Sequence, residues 1–171
     1  LLLLPLAILA GCKDDTASLD IPEAHILTSE ASGHYCQMNV LMHSGPKVQI
    51  FLADYPAPLW FVQVRDGIAY LKSPEQTSEI LVLYVSDMGE AGSWSKPGIE
   101  NWVDASIAYF VVGSDAVGGM GAPEIVPFSD RSKAETFMLE RGGSIMRLDE
   151  IPAELVLSPV ETGSVEPQAS Q

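Results

Sequence analysis

The chain has 171 residues, with 23 Asp and Glu against 9 Lys and Arg, for a formal net charge of −14. That surplus excludes polyanions such as nucleic acid, and the face of an anionic bilayer, as electrostatic partners. With 47% hydrophobic and 19% charged residues the chain can bury a core, and its length suits one ordinary domain or two very small ones. The N-terminal run LLLLPLAILA gives way to Gly11-Cys12 and then to Lys13, Asp14 and Asp15. It is shorter than the roughly 20 apolar residues of a spanning helix and reads as the end of a signal peptide over residues 1–11, cleaved before Cys12, with its start upstream.

Leu9-Ala10-Gly11-Cys12 resembles the lipobox of bacterial lipoproteins, in which the cysteine sulfur carries a diacylglycerol. The chain has two cysteines, Cys12 and Cys36. Lipidation of Cys12 leaves Cys36 without a disulfide partner, which is unusual in an exported protein. Such a thiol is either buried and inert or held for binding or redox chemistry. Residues 12–28 are polar and acidic and read as a tether. Lys13 in place of the aspartate of inner-membrane retention, with Asp14 directly behind it, leaves both membranes open as the site of anchoring.

Gly, Ser and Pro concentrate in residues 87–100, read as a linker between a first module at 29–86 and a second at 101–157; residues 158–171 lack periodicity and are expected to be disordered. The modules look duplicated. Pro46, Val48 and Phe51 align with Pro123, Ile125 and Phe128, and after a one-residue gap Phe61, Arg65 and Gly67 align with Phe137, Arg141 and Gly143. In the first copy, residues 35–41 and 47–52 read as strands, 58–65 as a helix by register with the second copy although Trp60-Phe61-Val62 would pass as a strand, and 80–86 as a strand. In the second, residues 102–112 and 124–128 read as strands. Asp130 caps a helix with Ala134, Phe137 and Met138 on one face, Gly142 and Gly143 stop it, and 144–148 is a final strand. The expected class is α+β, two small homologous ββαβ modules side by side.

Six methionines accompany Cys36. Met138 and Met146 fall at core positions, Met88 lies in the linker, and Met42 suits core or periphery. Met38 differs: in a strand it would share a face with Cys36, and with His34 two residues earlier. Met120, within Gly118-Gly119-Met120-Gly121, has no neighbouring side chains to pack on, and the internal alignment sets it opposite His43. Thiolate, thioether and imidazole together select Cu(I) over hard cations. A structural zinc site is disfavoured, since the chain has no CxxC or HxxxH pair. GxSxG, HExxH and a phosphate-binding Gly loop with Lys are also missing. His25 reads as solvated or at a strand edge.

The lipobox, Tyr35-Cys36-Gln37-Met38, His43-Ser44-Gly45-Pro46-Lys47-Val48-Gln49-Ile50, Arg65-Asp66-Gly67 and Gly119-Met120-Gly121 leading to Val126-Pro127-Phe128 together resemble the NosL family of copper-binding lipoproteins, from about Cys12 to Pro152. The resemblance implies two homologous ββαβ modules and a non-enzymatic Cu(I) metallochaperone. Its copper would serve the copper-sulfide cluster of nitrous oxide reductase, through an ABC-transporter-type assembly complex. It carries onto Cys36, Met38 and Met120 as ligands, with His43 or His34 as the nitrogen donor, and departs at Gln37, where many relatives have Gly. The expected location is the periplasmic face of a bacterial membrane, as a monomer held by the lipid on Cys12. A thiol redox protein acting through Cys36, which lacks a resolving cysteine nearby, and a structural adaptor with Cys36 inert are the competing readings.

Overall fold

The computed structural model describes residues 21–160. The signal-peptide remnant, the Cys12 anchor, most of the tether and the end of the tail lie outside the described residues. Two antiparallel sheets carry the fold, as the α+β reading expects. The β-branched stretch Val48–Leu52 forms β1, buried at every position. It sits inside a four-stranded sheet, between β2 (Leu59–Phe61) and β3 (Ile80–Ser86), with β4 (Trp102–Asp104) beyond β3. Val48 lies opposite Phe61 and Val85, and Ile50 opposite Leu59 and Leu83. Helix α1 (Val64–Lys72) joins β2 to β3.

The second sheet sets β5 (Tyr109–Val112) between β6 (Val126–Phe128) and β7 (Ser144–Met146), with α2 (Arg131–Arg141) joining β6 to β7. As the sequence predicts, the Asp130 side chain caps α2 by accepting the Ser132 N–H at 2.7 Å, and Gly142, at φ 77°, ends it. A short α3 (Ala153–Leu157) follows. Each module is therefore ββαβ.

The internal register differs from the expected one. Topology pairs β1 with β5, β2 with β6, α1 with α2 and β3 with β7, so Leu59-Trp60-Phe61 corresponds to Val126-Pro127-Phe128 and the capping position Gln63 to Asp130. The Pro-to-Phe motifs at 46–51 and 123–128 match in sequence but belong to different strands. The helix expected at 58–65 is accordingly strand at 59–61 and helix from Val64. Gly67, aligned by sequence with the helix stop Gly143, lies inside α1, where an added Cβ would sit 2.8 Å from Val48 Cγ1. It corresponds instead to the buried Ala134 of α2. The single strand expected over 102–112 is broken: β4 completes the first sheet and β5 opens the second.

One core spans both sheets, joining Val48, Ile50, Phe61 and Val85 to Phe110, Val112, Ile125 and Ile151, with Met146 packed against it. A second cluster under α2 takes up Phe128, Ala134, Phe137 and Met138, so Met138 and Met146 are core residues as expected, and Met88 also packs there. A third, of Leu27, Ala31, Val40 and Val62, lies at the edge of the first sheet. The chain from Pro22 is laid on that sheet rather than free as part of a tether. Tyr84 Oη donates to Pro22 O at 2.9 Å, and the Gln49 amide pairs with both backbone groups of His25, an exposed residue whose ring meets Phe51 edge-on at 5.0 Å. The stretch 87–100 is likewise anchored. Asp87 is buried and accepts the N–H groups of Gly89 and Ser129, and Gly45 N donates to Trp94 O at 2.7 Å.

Candidate metal centre

Cys36 lies in a turn and not in the strand expected over 35–41. The alternation of Tyr35-Cys36-Gln37-Met38 imitates a strand, but the backbone closes on itself: Gln37 N donates to Gly33 O and Gly33 N to Met38 O, both at 2.8 Å. Gln37 is the one non-glycine residue at positive φ (56°) among the described residues, and its amide Nε2 donates to His34 O at 2.7 Å. Glycine adopts a left-handed backbone of this kind without strain, whereas Gln37 carries a Cβ there. The turn lays the Cys36 sulfur over Gly33, where an added Cβ would come within 2.7 Å of Sγ and 3.2 Å of Val62 Cγ1. The thiol is free and half-buried against the cluster of Leu27, Ala31, Val40 and Val62.

The turn separates His34 from Cys36. His34 N donates to Trp60 O, and its ring packs on Phe61 and Tyr70 with centroids 5.6 and 5.4 Å away. His34 thus packs on Phe61 and Tyr70 while Cys36 packs against the cluster that holds Val62, and the strand that would have set the two on one face is not formed.

His43 follows a single 3-10 turn, Val40–Met42, capped by the Asn39 side chain through Leu41 N. Its Nδ1 lies 3.1 Å from Gly119 O. A carbonyl only accepts, so Nδ1 carries the proton in this contact, and in the neutral ring Nε2 is then the nitrogen with the lone pair. The Gly-Met-Gly loop thus docks on the first module. This contact does not come from symmetry, because Met120 lies between β5 and β6 whereas His43 precedes β1.

The docking depends on small residues. An added Cβ on Gly119 would meet His43 Cβ at 2.8 Å and Ser44 O at 2.9 Å, and one on Gly118 would meet Gln63 Oε1 and Glu124 Oε2, both at 2.6 Å. The loop is also tied within itself, through Gly118 N to Ala122 O at 2.8 Å and Gly121 N to Gly118 O at 2.9 Å. Met120 is nevertheless 43% exposed, close to the 42% of Met38, while Met42 reaches 81%.

Sequence reasoning misses the buried polar groups behind this edge. Lys47 is 1% exposed, and its ammonium donates to Ser44 O, Gly45 O and Val62 O at 2.9, 2.7 and 3.2 Å. It binds the chain after His43 to the residue beside Cys36. Burial pulls Lys47 down to about 8, partly opposed by Glu124. Glu124, 2% exposed, accepts Val64 N, Arg65 N and Ile125 N at 3.2, 3.1 and 2.9 Å, and so caps α1 from the other module. Burial pushes its carboxyl up to about 8 against the pull of those donors. The one signal in the sequence is a lone Lys and a lone Glu in otherwise apolar strand contexts.

Among the described residues no three His, Cys, Asp or Glu side chains converge as a metal site. The soft groups on this side are the Cys36 thiol, packed against the cluster that holds Val62, the Met38 and Met120 thioethers, and the His43 imidazole; the Met120 loop passes the Val62 carbonyl, which an added Cβ on Gly119 would meet at 3.3 Å. No described helix is long and apolar enough to cross a membrane.

The fold and site together define a two-module α+β protein with a sulfur-rich, imidazole-bearing edge where the modules meet. The NosL family model matches residues 24–156. A copper-binding lipoprotein NosL of Achromobacter cycloclastes is 56% identical over 96% of this chain and 84% of its own length, and one of Stutzerimonas stutzeri is 29% identical over 86% and 76%. The crystal structure of the copper chaperone NosL from Shewanella denitrificans superposes with a TM-score of 0.71 at 33% identity, over 75% of this chain and 95% of that one. The solution structure of apo-NosL from A. cycloclastes gives 0.50 at 57% identity, over 68% and 94%. The chain belongs to the NosL family.

Proposed function

We propose that this protein is a non-catalytic copper chaperone that binds Cu(I) through Cys36 and Met120, with Met38 and His43 as the further donors. The observation that carries this reading is the His43–Gly119 hydrogen bond. It holds the Met120 loop against the chain leading into β1, near Val62, against whose cluster Cys36 packs, and it leaves His43 Nε2 as a ligand whose other nitrogen is already oriented. Thiolate, thioether and imidazole in low number suit Cu(I), and partial exposure of each sulfur suits hand-over by stepwise ligand exchange. The relatives named as copper-binding lipoproteins and as a copper chaperone support the same reading.

In this role the protein is a monomer held at the periplasmic face of a bacterial membrane by a lipid on Cys12. Its recipient is the ABC-transporter-type complex that assembles the copper-sulfide cluster of nitrous oxide reductase. The net charge of −14 steers docking on a basic surface of that recipient. Anaerobic Cu(I) titration against a competing chelator tests the reading. Cys36→Ser is expected to lose most of the affinity, Met120→Leu and His43→Ala part of it, and His34→Ala none. Equal binding by all variants and the unaltered protein would overturn it. Transfer to the recipient complex is expected to slow as ionic strength rises while copper affinity holds.

A further inference from the structure

The backbone of Met120 is fixed from the opposite module: its N–H donates to Gln63 Oε1 at 3.2 Å. Gln63 is 3% exposed and occupies the N-cap position of α1, yet its side chain makes no capping bond. An N-cap side chain ordinarily turns back onto the first helical N–H groups. Here Glu124 reaches across from the other module and takes those of Val64 and Arg65, which releases the Gln63 amide toward the Met120 loop. Gly118 then passes so close that an added Cβ would lie 2.6 Å from Gln63 Oε1, so the loop has no room to slide past the amide.

We propose that Gln63 is a positioning residue that sets the approach of the Met120 thioether to Cu(I), with Glu124 freeing it for that task. The inference rests on Met120 being a copper ligand. Fixing the backbone of a ligand on an exposed loop removes conformations in which the sulfur points away, so the effect falls on copper retention.

A double-mutant cycle on the metal-loaded protein, read by the rate of Cu(I) release to a chelator, tests it. Gln63→Leu removes the acceptor and is expected to speed release by about three- to tenfold, the worth of one hydrogen bond. In a Met120→Leu background the same change is expected to have no further effect. X-ray absorption at the copper edge is expected to show a weaker or more spread sulfur contribution in Gln63→Leu, a signature that a merely structural role would leave unchanged. Gly118→Ala, which displaces the amide oxygen without removing it, is expected to speed release in the same way and serves if Gln63→Leu does not fold. Release at the unaltered rate, or an effect of full size in the Met120→Leu background, would overturn the inference while leaving the ligand set intact. A neutral Met120→Leu would instead remove Met120 from the ligand set, and the inference with it.

Discussion

The carboxylate of Glu124, in the second module, accepts the backbone N–H of Arg65 at 3.1 Å in the first turn of α1. The group that ends this helix thus comes from the other half of the molecule. Burial pushes its carboxyl from 4.5 up to about 8. Between those values the folded protein holds a proton that the unfolded chain has released, so stability falls as pH rises through the window. This contribution is fully present below about pH 4.5 and lost as pH passes about 8. Urea unfolding of the unaltered protein is expected to weaken from about pH 5 to about pH 8, by up to about 1.4 kcal/mol per pH unit. Glu124→Gln is expected to flatten that slope, and parallel pH profiles for the two proteins would count against it.

Lys47 is satisfied by three carbonyls and has little contact with water. Lys47→Met keeps the volume of the stem but strands the oxygens of Ser44, Gly45 and Val62. The expected loss is about 3 kcal/mol, from several acceptors left unpaired. Because the same bonds tie the chain after His43 to Val62, the variant is also expected to bind Cu(I) more weakly. Unfolding and chelator competition measured on one preparation check both effects.

Gly67→Ala has an expected sign opposite to that of a simple helix. Alanine in a helix interior ordinarily gains about 1 kcal/mol over glycine. At this position the added methyl would lie 2.8–3.0 Å from three atoms of Val48, a branched side chain fixed at the centre of the sheet. Overpacking is expected to win, with a net loss of about 1–3 kcal/mol in chemical unfolding. The methyl of Ala134, at the corresponding place in α2, is accommodated.

Arg65 donates from Nη1 to Leu155 O at 2.7 Å and from Nη2 to Ser158 O at 2.8 Å, and so anchors the C-terminal end of α3. A five-residue helix has little stability of its own. Arg65→Met is expected to release it, raising amide exchange across residues 153–158 while α2 keeps its protection. Exchange measured by mass spectrometry on the two proteins separates these regions.

Part of this organisation is legible in the sequence because it is local. Asp130 and the Gly142-Gly143 pair act within one turn of chain, and Cys36, Met38 and Met120 stand out as candidate donors by their side-chain chemistry. The duplication is also visible, but its register is not, because the Pro-to-Phe motifs resemble each other more than the β2 and β6 strands that truly correspond. The strand expected over residues 35–41 fails because period-2 alternation needs a partner strand, and here Gln37 turns left-handed and the backbone bonds stay inside the turn. Gln63, Lys47 and Glu124 are hidden for a different reason. Each is a polar residue whose partners are brought to it only by folding, and the sequence marks Lys47 and Glu124 only as lone charges beside apolar strand residues.

The break between β4 and β5 has a consequence for how a cargo could move. Since β4 stays with the first sheet and one core runs beneath both, the two halves cannot swing apart as jaws without exposing Phe110, Val112 and Ile125. For the copper carrier proposed above, loading and release at this edge would be a matter of single side chains trading places on a fixed rim, to which the recipient would have to come.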